Sequence, residues 1–297
     1  MVDYNIQAGS TAIRPEVVDS MVKQVAKADY KFKQAVAQVS TNAWNNTFFR
    51  ESREIAAGKG HNTTANIPRG ANFPQYSVKW EEVSVKIVKY GLEDNIPWED
   101  ILSNAINVQA RTIIGLTQGV VKAVDDGIWD ALTESNGTGT NLRIQSFIIG
   151  VTNNNGNWNQ TSASILDDLM KASQKIKENG HYDTSNLLCY VNPQGKRDMM
   201  NYFADKGNQW MPIATDIAQN GRLGKAAGIT IIESESVAVS RALVLKPKTC
   251  ATWKSLVPLK SVTIVDPFKS TTIRVVEEGV VELTDPLAVC LIKGTLP

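Results

Sequence analysis

"YGLEDNIPWEDILSN", residues 90–104, is where two sequence rhythms meet, and what lies on either side of it decides the fold. Upstream, Val83, Val85 and Ile87 alternate with Ser84, Lys86, Val88 and Tyr90, the period of a β-strand. Val78 and Trp80 hold the opposite phase, so a bulge or bend is expected at Glu81-Glu82. Downstream, Pro97 stands just before Trp98, a good first helical position. Trp98, Leu102, Ala105, Ile106, Ile113, Leu116, Val120, Val124, Ile128 and Ala131 then recur at near-helical spacing. One helix is predicted over 98–132, and roughly 35 residues at 1.5 Å each span about 50 Å, long for a globular domain. Gly115 and Gly119 form a GxxxG, but Asn107, Gln109, Arg111, Gln118 and Lys122 exclude a membrane span. The glycines read instead as a close approach by a crossing strand or helix. "ESNGTGTN" (134–141) ends the segment.

Working outward towards the N-terminus, "ESREIAAGKGHNTTANIPRGANFPQYSVKWEEVSVKIVKY" (51–90) reads as a strand, a long polar tip and a long returning strand. A two-stranded arm of this kind buries little and is marginal alone in water, so it is expected to rest on another subunit; an active-site flap would have the same pattern. Before it, residues 11–40 carry a helical pattern in Val17, Val18, Met21, Val22, Val25, Ala28, Phe32, Ala35, Val36 and Val39, starting behind Thr11 and Pro15 and ending near Ser40-Thr41-Asn42. Beyond the long helix come a strand at "IQSFIIGVT", an amphipathic helix over 164–179 closed by Gly180, a buried strand at "NLLCYVN" and a short helix over 194–203. "GITIIESESV", "RALVLKP", "SLVPLKSVTIV", "TTIRVVEEGVVELT" and "LAVCLIKG" make the last third rich in strands. Helices gather early and do not alternate with strands, so the class is α+β with mixed or antiparallel sheets.

Composition narrows the function. The 297 residues suffice for one large domain or two modest ones, and 42% apolar with 21% charged residues is the balance of a soluble globular protein. A formal charge of +1 offers no general attraction for free nucleic acid or a membrane surface. The segment MVDYNIQAGS lacks the basic head and apolar core of a signal peptide, and no stretch is long and apolar enough to span a bilayer. Cys189, Cys250 and Cys290 lack metal-ligand spacing and are expected as buried thiols in a reducing compartment.

Motifs for chemistry fail in turn. "NGRLGKAAGITIIESES" (220–236) is not a phosphate cradle, because Ala226 follows Gly224-Lys225 and Gln219 occupies the first glycine position; Gly221, Gly224 and Gly228 read as turn residues before a strand. "AAGKGHNTT" fails the same test, with Arg53 at the first glycine and Gly60 at the hydroxyl, and "GTGTNL" puts Leu142 where a dinucleotide fingerprint needs glycine. His61 lies in the arm tip and His181 follows a helix end, neither in a zinc motif. Asp125-Asp126, Asp167-Asp168 and Glu277-Glu278 are adjacent pairs that point different ways, so solvated faces are expected rather than a carboxylate dyad. No catalytic, cofactor-binding or metal-binding residue is assigned. A flap-bearing monomeric enzyme and an extracellular binding module are both disfavoured, the first for want of a nucleophile, base, metal set or phosphate loop.

The order of elements, together with "YGLEDNIPWEDILSN", "NGRLGKAAGITIIESESV" and the closing "VVEEGVVELTDPLAVCLIKG", resembles the major capsid proteins of tailed phages with the Hong Kong 97-type fold. The resemblance covers nearly the whole chain through loose motifs held in order. It implies an N-terminal arm (1–50), an extended β-hairpin loop (51–80), a peripheral domain carrying a long spine helix (81–150 and 257–283) and an axial domain (151–256 and 284–297). It further implies hexamers and pentamers of the chain closing an icosahedral shell over packaged double-stranded DNA, assembled in the host cytoplasm, with a portal protein. The family's large N-terminal scaffolding segment has no match, so a separate scaffold protein or none is expected, and decoration proteins are possible partners. Lys59, His61 and Arg69 at the arm tip, and Arg222 and Lys225 at the axial turn, are the expected inter-subunit contacts. Some members weld their shells by an isopeptide bond between a loop Lys and a neighbour's Asn. Lys59 matches the first, but no Asn follows Asn220 and Ser270 stands in the matching region, so no crosslink is expected. An encapsulin-type cellular nanocompartment that loads a cargo enzyme shares this fold and is the alternative, with the long N-terminal arm favouring the virus.

Overall fold

The computed structural model describes residues 15–51, 67–72, 80–103, 108–138, 142–150, 156–206 and 223–296. The junction turns from strand to helix at Pro97-Trp98 as its pattern predicts, while the single helix expected over 98–132 is described as two helices, with 104–107 outside the described residues. Strand β4 (Val88–Pro97) runs directly into helix α3 (Trp98–Ser103), and α4 (Val108–Gly137) follows. Its 30 residues span about 45 Å. Ile113, Val120, Val121, Val124, Ile128 and Leu132 form its buried stripe. The helix runs past Leu132, and its last turn carries Glu134 and Ser135 at left-handed φ of 49° and 60° before Gly137.

β4 lies against this helix because two glycines make room. A Cβ on Gly119 would stand 2.5 Å from Leu92 Cδ1, and one on Gly127 would stand 2.5 Å from Tyr90 Oη. Gly115 has open space around it, so close approach uses Gly119 and Gly127 rather than the GxxxG pair.

Two sheets carry the rest. The four-stranded sheet has the order β1 (Ala37–Ser40), β10 (Thr252–Asp266), β11 (Ser270–Glu282), β4, antiparallel except for β1 beside β10. Its register slips between Ser255 and Lys260, around Pro258, which has no N–H for the ladder. The six-stranded sheet has the order β5 (Gln145–Ile148), β12 (Val289–Lys293), β9 (Arg241–Leu245), β6 (Leu188–Val191), β8 (Ile229–Glu233), β7 (Lys225–Ala226), with β5–β12 and β6–β8 parallel. Helices α5 (Ile165–Gly180) and α6 (Pro193–Asp205) accompany it and share its apolar core. A second core joins α4, the four-stranded sheet and the N-terminal helix α1 (Pro15–Asp29). The α+β class with mixed sheets is what the element order predicts. Cys189, Cys250 and Cys290 are buried, and burial pushes each thiol up to about 12.

Four expectations need correction. The pattern over 11–40 is not one helix: α1 stops at Asp29, a single turn α2 (Phe32–Ala35) follows, and 37–40 pair with β10. Phe32, Ala35 and Val36 keep the helical rhythm because all three are buried, not because the helix continues. The bulge at Glu81-Glu82 is absent, since β2 (Asn45–Glu51) pairs with β3 (Trp80–Lys86) in unbroken antiparallel register. The opposite phase is instead an outward Trp80, and the break comes at Ile87, whose N–H bonds to Trp44 O. Helix α5 includes Gly180, where a Cβ would press on the Tyr182 ring at 2.7 Å; His181 takes the left-handed closing position at φ 56°.

The acidic pairs are the fourth correction. One member of each is buried with a structural partner. Asp168 accepts from Trp158 Nε1 at 3.0 Å. Asp125 caps α2: its Oδ2 accepts from the N–H of Lys31 (2.7 Å) and Phe32 (3.3 Å), its Oδ1 from that of Lys33 (3.2 Å). Glu277 has no exposed surface and accepts from Tyr30 Oη and Lys33 Nζ.

Candidate assembly surface

One whole face of the β2–β3 ribbon is left uncovered by the rest of the described chain. Asn45, Thr47 and Phe49 face outward opposite Lys86, Ser84 and Glu82, and Trp80 lies on the same face. The inner face carries Phe48, Val83 and Val85, only half-buried. Trp44, Phe49 and Trp80 are 63%, 60% and 61% exposed, unusual for aromatics of this size. Among the described residues the ribbon has no third strand, so both its edges lack a ladder partner.

Charge holds the root of the ribbon. Arg50 is buried, and its Nε donates to Glu81 Oε2 at 3.1 Å while Nη1 reaches Leu283 O at 3.4 Å. Glu81 also meets Arg143 Nη2 at 2.5 Å. Arg143 and Ile144 give their backbone N–H groups to Glu134, at 2.6 and 3.2 Å. The Arg50 guanidinium, with help from Arg143, holds the Glu81 carboxyl below its usual range. The network ties the ribbon to the end of α4 and to the segment after β11. Sequence reading passed over it. The available signal was Glu81 on the inward phase of β3, which demands a cation, and the facing strand offers Arg50.

Of the five residues expected at contacts, Arg69 is an exposed turn residue and Lys225 an exposed residue of the edge strand β7. Lys59, His61 and Arg222 lie outside the described residues. Arg69 and Lys225 belong to different parts of the fold and form no common site. A cleft of about 790 Å³ opens between α4 and the end of β8, lined by Asp29, Lys31, Lys122, Glu233 and Glu235 among others. Its lining mixes carboxylates with lysines, and one of the carboxylates, Asp125, is already committed to capping α2. Among the described residues no cluster of His, Cys, Asp or Glu could hold a metal ion, and no helix is long and apolar enough to cross a membrane.

The described residues thus present a spine helix, two larger sheets and a two-stranded ribbon with exposed aromatics. A family model described as phage capsid protein matches residues 80–292, well over half of the chain. The chain belongs to the phage capsid protein family, and its fold is the Hong Kong 97-type fold of tailed-phage major capsid proteins. Among solved structures it is similar to mycobacterium phage Che8, with TM-score 0.62, 13% identity, and coverage of 90% of this chain and 92% of that one. It is similar to the capsid of cyanophage P-SCSP1u, with TM-score 0.61, 14% identity and coverage of 89% and 88%. It is also similar to a virus-like particle from Pyrococcus furiosus, with TM-score 0.59, 10% identity and coverage of 94% and 98%. No curated protein matches it by sequence.

Proposed function

We propose that this capsid protein assembles as hexamers and pentamers that close into an icosahedral phage head around packaged double-stranded DNA. The observation that carries the reading is the β2–β3 ribbon, an edge-exposed pair of strands with three large aromatics in solvent. Such a ribbon gains stability when a neighbouring copy covers it. In this reading 1–50 are the arm, 51–80 the extended loop, 81–150 with 257–283 the peripheral domain, and 151–256 with 284–297 the axial domain. Arg69 and Lys225, with Lys59, His61 and Arg222, are proposed lattice contacts. A portal protein, a separate scaffold or decoration protein, and assembly in the host cytoplasm complete it. The likeness to the Pyrococcus furiosus virus-like particle keeps an encapsulin-type shell with a cargo enzyme as the second reading.

Negative-stain microscopy and light scattering of the purified chain, with and without its scaffold, test the proposal. Closed shells or rings are expected, and nucleic acid inside separates a phage head from a cargo compartment. A chain that stays monomeric under both conditions sinks it.

A further inference from the structure

Residues 30–36 touch both sheets at once. Towards the four-stranded sheet, Tyr30 Oη and Lys33 Nζ donate to the two oxygens of Glu277 on β11, and Lys33 Nζ stands 4.2 Å from the Tyr30 ring centre and 5.4 Å from that of Trp253 on β10. Towards the six-stranded sheet, the Phe32 ring stacks on Tyr190 of β6 at 4.2 Å, and Tyr190 Oη donates to Lys31 O at 3.1 Å. Beneath lies the spine, with Asp125 capping the segment and Trp129 at 5.8 Å from Phe32.

The segment also holds a crossing between the sheets. The chain leaves β9 for β10 through residues 246–251, where Lys248 sits at φ 62°, a left-handed conformation that a non-glycine residue adopts only when its surroundings hold it there. The Lys248 N–H donates to Ala35 O at 2.6 Å, and Ala37 N–H to Ala251 O at 3.0 Å, so the middle and the far end of that crossing are hydrogen-bonded to the N-terminal segment. Past Ser40 the same segment leads straight into β2 and the ribbon.

We infer that residues 30–36 are a latch that locks the two sheets at one mutual angle and, through β1, sets the direction in which the ribbon leaves the body. The inference rests on the proposed capsid assembly for its consequence, uniform shell size, but not for its physical core. An ion pair with no exposed carboxylate surface holds one geometry or none, because a partly separated pair leaves a buried charge uncompensated. A latch so built makes the inter-sheet angle two-valued rather than continuously adjustable. Shell curvature in turn depends on the angle between the parts of each subunit that meet neighbours.

The test compares full-length wild type with Tyr30→Phe, which removes one hydroxyl, and Lys33→Met/Glu277→Gln, which removes the pair without stranding a charge. Amide hydrogen exchange is read at three places: the latch itself, the crossing 246–251, and β6. A merely local role moves exchange at 30–36 alone. The latch predicts exchange faster by about tenfold at 246–251 as well, and shell diameters that broaden from one class to several. Unchanged exchange at 246–251 in both variants overturns the inference, whatever the shells do. Faster exchange there with shells of one unaltered size overturns its link to curvature. Wild type that forms no shell under any condition overturns the proposed function, while the exchange result still decides the latch.

Discussion

The latch and the ribbon root are both built from Arg or Lys with Glu, yet they differ in kind. At the latch, Glu277 is fully buried and Lys33 nearly so, its side chain 12% exposed. At the root, Arg50 is buried but Glu81 and Arg143 are 35% and 46% exposed. The buried pair has a large penalty for being broken, whereas the exposed network is screened and trades partners with water. One region is made to hold still. The other is made to stay attached while its outer end finds a neighbour.

The largest effects should come from emptying the latch. Phe32→Ala removes a fully buried ring packed on Tyr190 and Trp129, and urea unfolding should show a loss of about 3–5 kcal/mol. Glu277→Ala leaves Lys33 and Tyr30 without their acceptor and should cost a similar ~3–5 kcal/mol. The paired change Lys33→Met/Glu277→Gln should recover a good part of that loss, and equal destabilisation by both would show that packing, not charge, dominates the latch.

Gly279→Ala should be intermediate. Its Cβ would press on the Trp253 indole and stand 2.9 Å from Lys254 O, with no flexible side chain to yield. Overpacking of this kind costs about 1–3 kcal/mol, measurable as a lowered melting temperature. Glu81→Gln at the root should cost no more than about 1 kcal/mol in the unassembled chain. Its effect should appear in sedimentation as fewer assembled particles. A stability loss equal to that of the latch variants would erase the distinction between the two regions.

The smallest effect, and the sharpest comparison, is with pH. Glu81 is held below its usual range by Arg50 and Arg143, so its contribution is present at neutral pH and lost as pH falls through that depressed value. Asp125 is shifted the other way, because burial outweighs its three N–H donors. Its contribution is fully present below the ordinary carboxylate range and lost as pH rises through the raised value. Acidification below that range should therefore speed hydrogen exchange in 45–51 and 80–86 while the cap at 31–33 stays protected. Simultaneous loosening of both would contradict the assigned shifts. Separately, boiled and reduced mature particles should run as monomers on denaturing gels, since Ser270, buried at the start of β11, has no amide side chain to form a crosslink.

What could be read from the sequence followed from short-range rules. Pro97 before Trp98, the alternation through Val83 and Val85, and the helical stripe from Ile113 to Ile128 depend on neighbours within a turn or a strand, and the α+β class with its long spine follows from them. The resemblance in element order led to the family for the same reason, because order survives when individual contacts do not. The tertiary structure alone decided what the charges do. Glu277 meets Tyr30 across 247 positions of chain and Asp125 meets Lys31 across 94, so nothing local distinguishes them from their partly exposed neighbours Glu278 and Asp126. It also decided that a helical rhythm would break at Asp29, since Phe32 and Val36 are buried by another part of the chain rather than by the next turn of their own helix. Periodicity records that a residue is covered; only the folded chain determines what covers it.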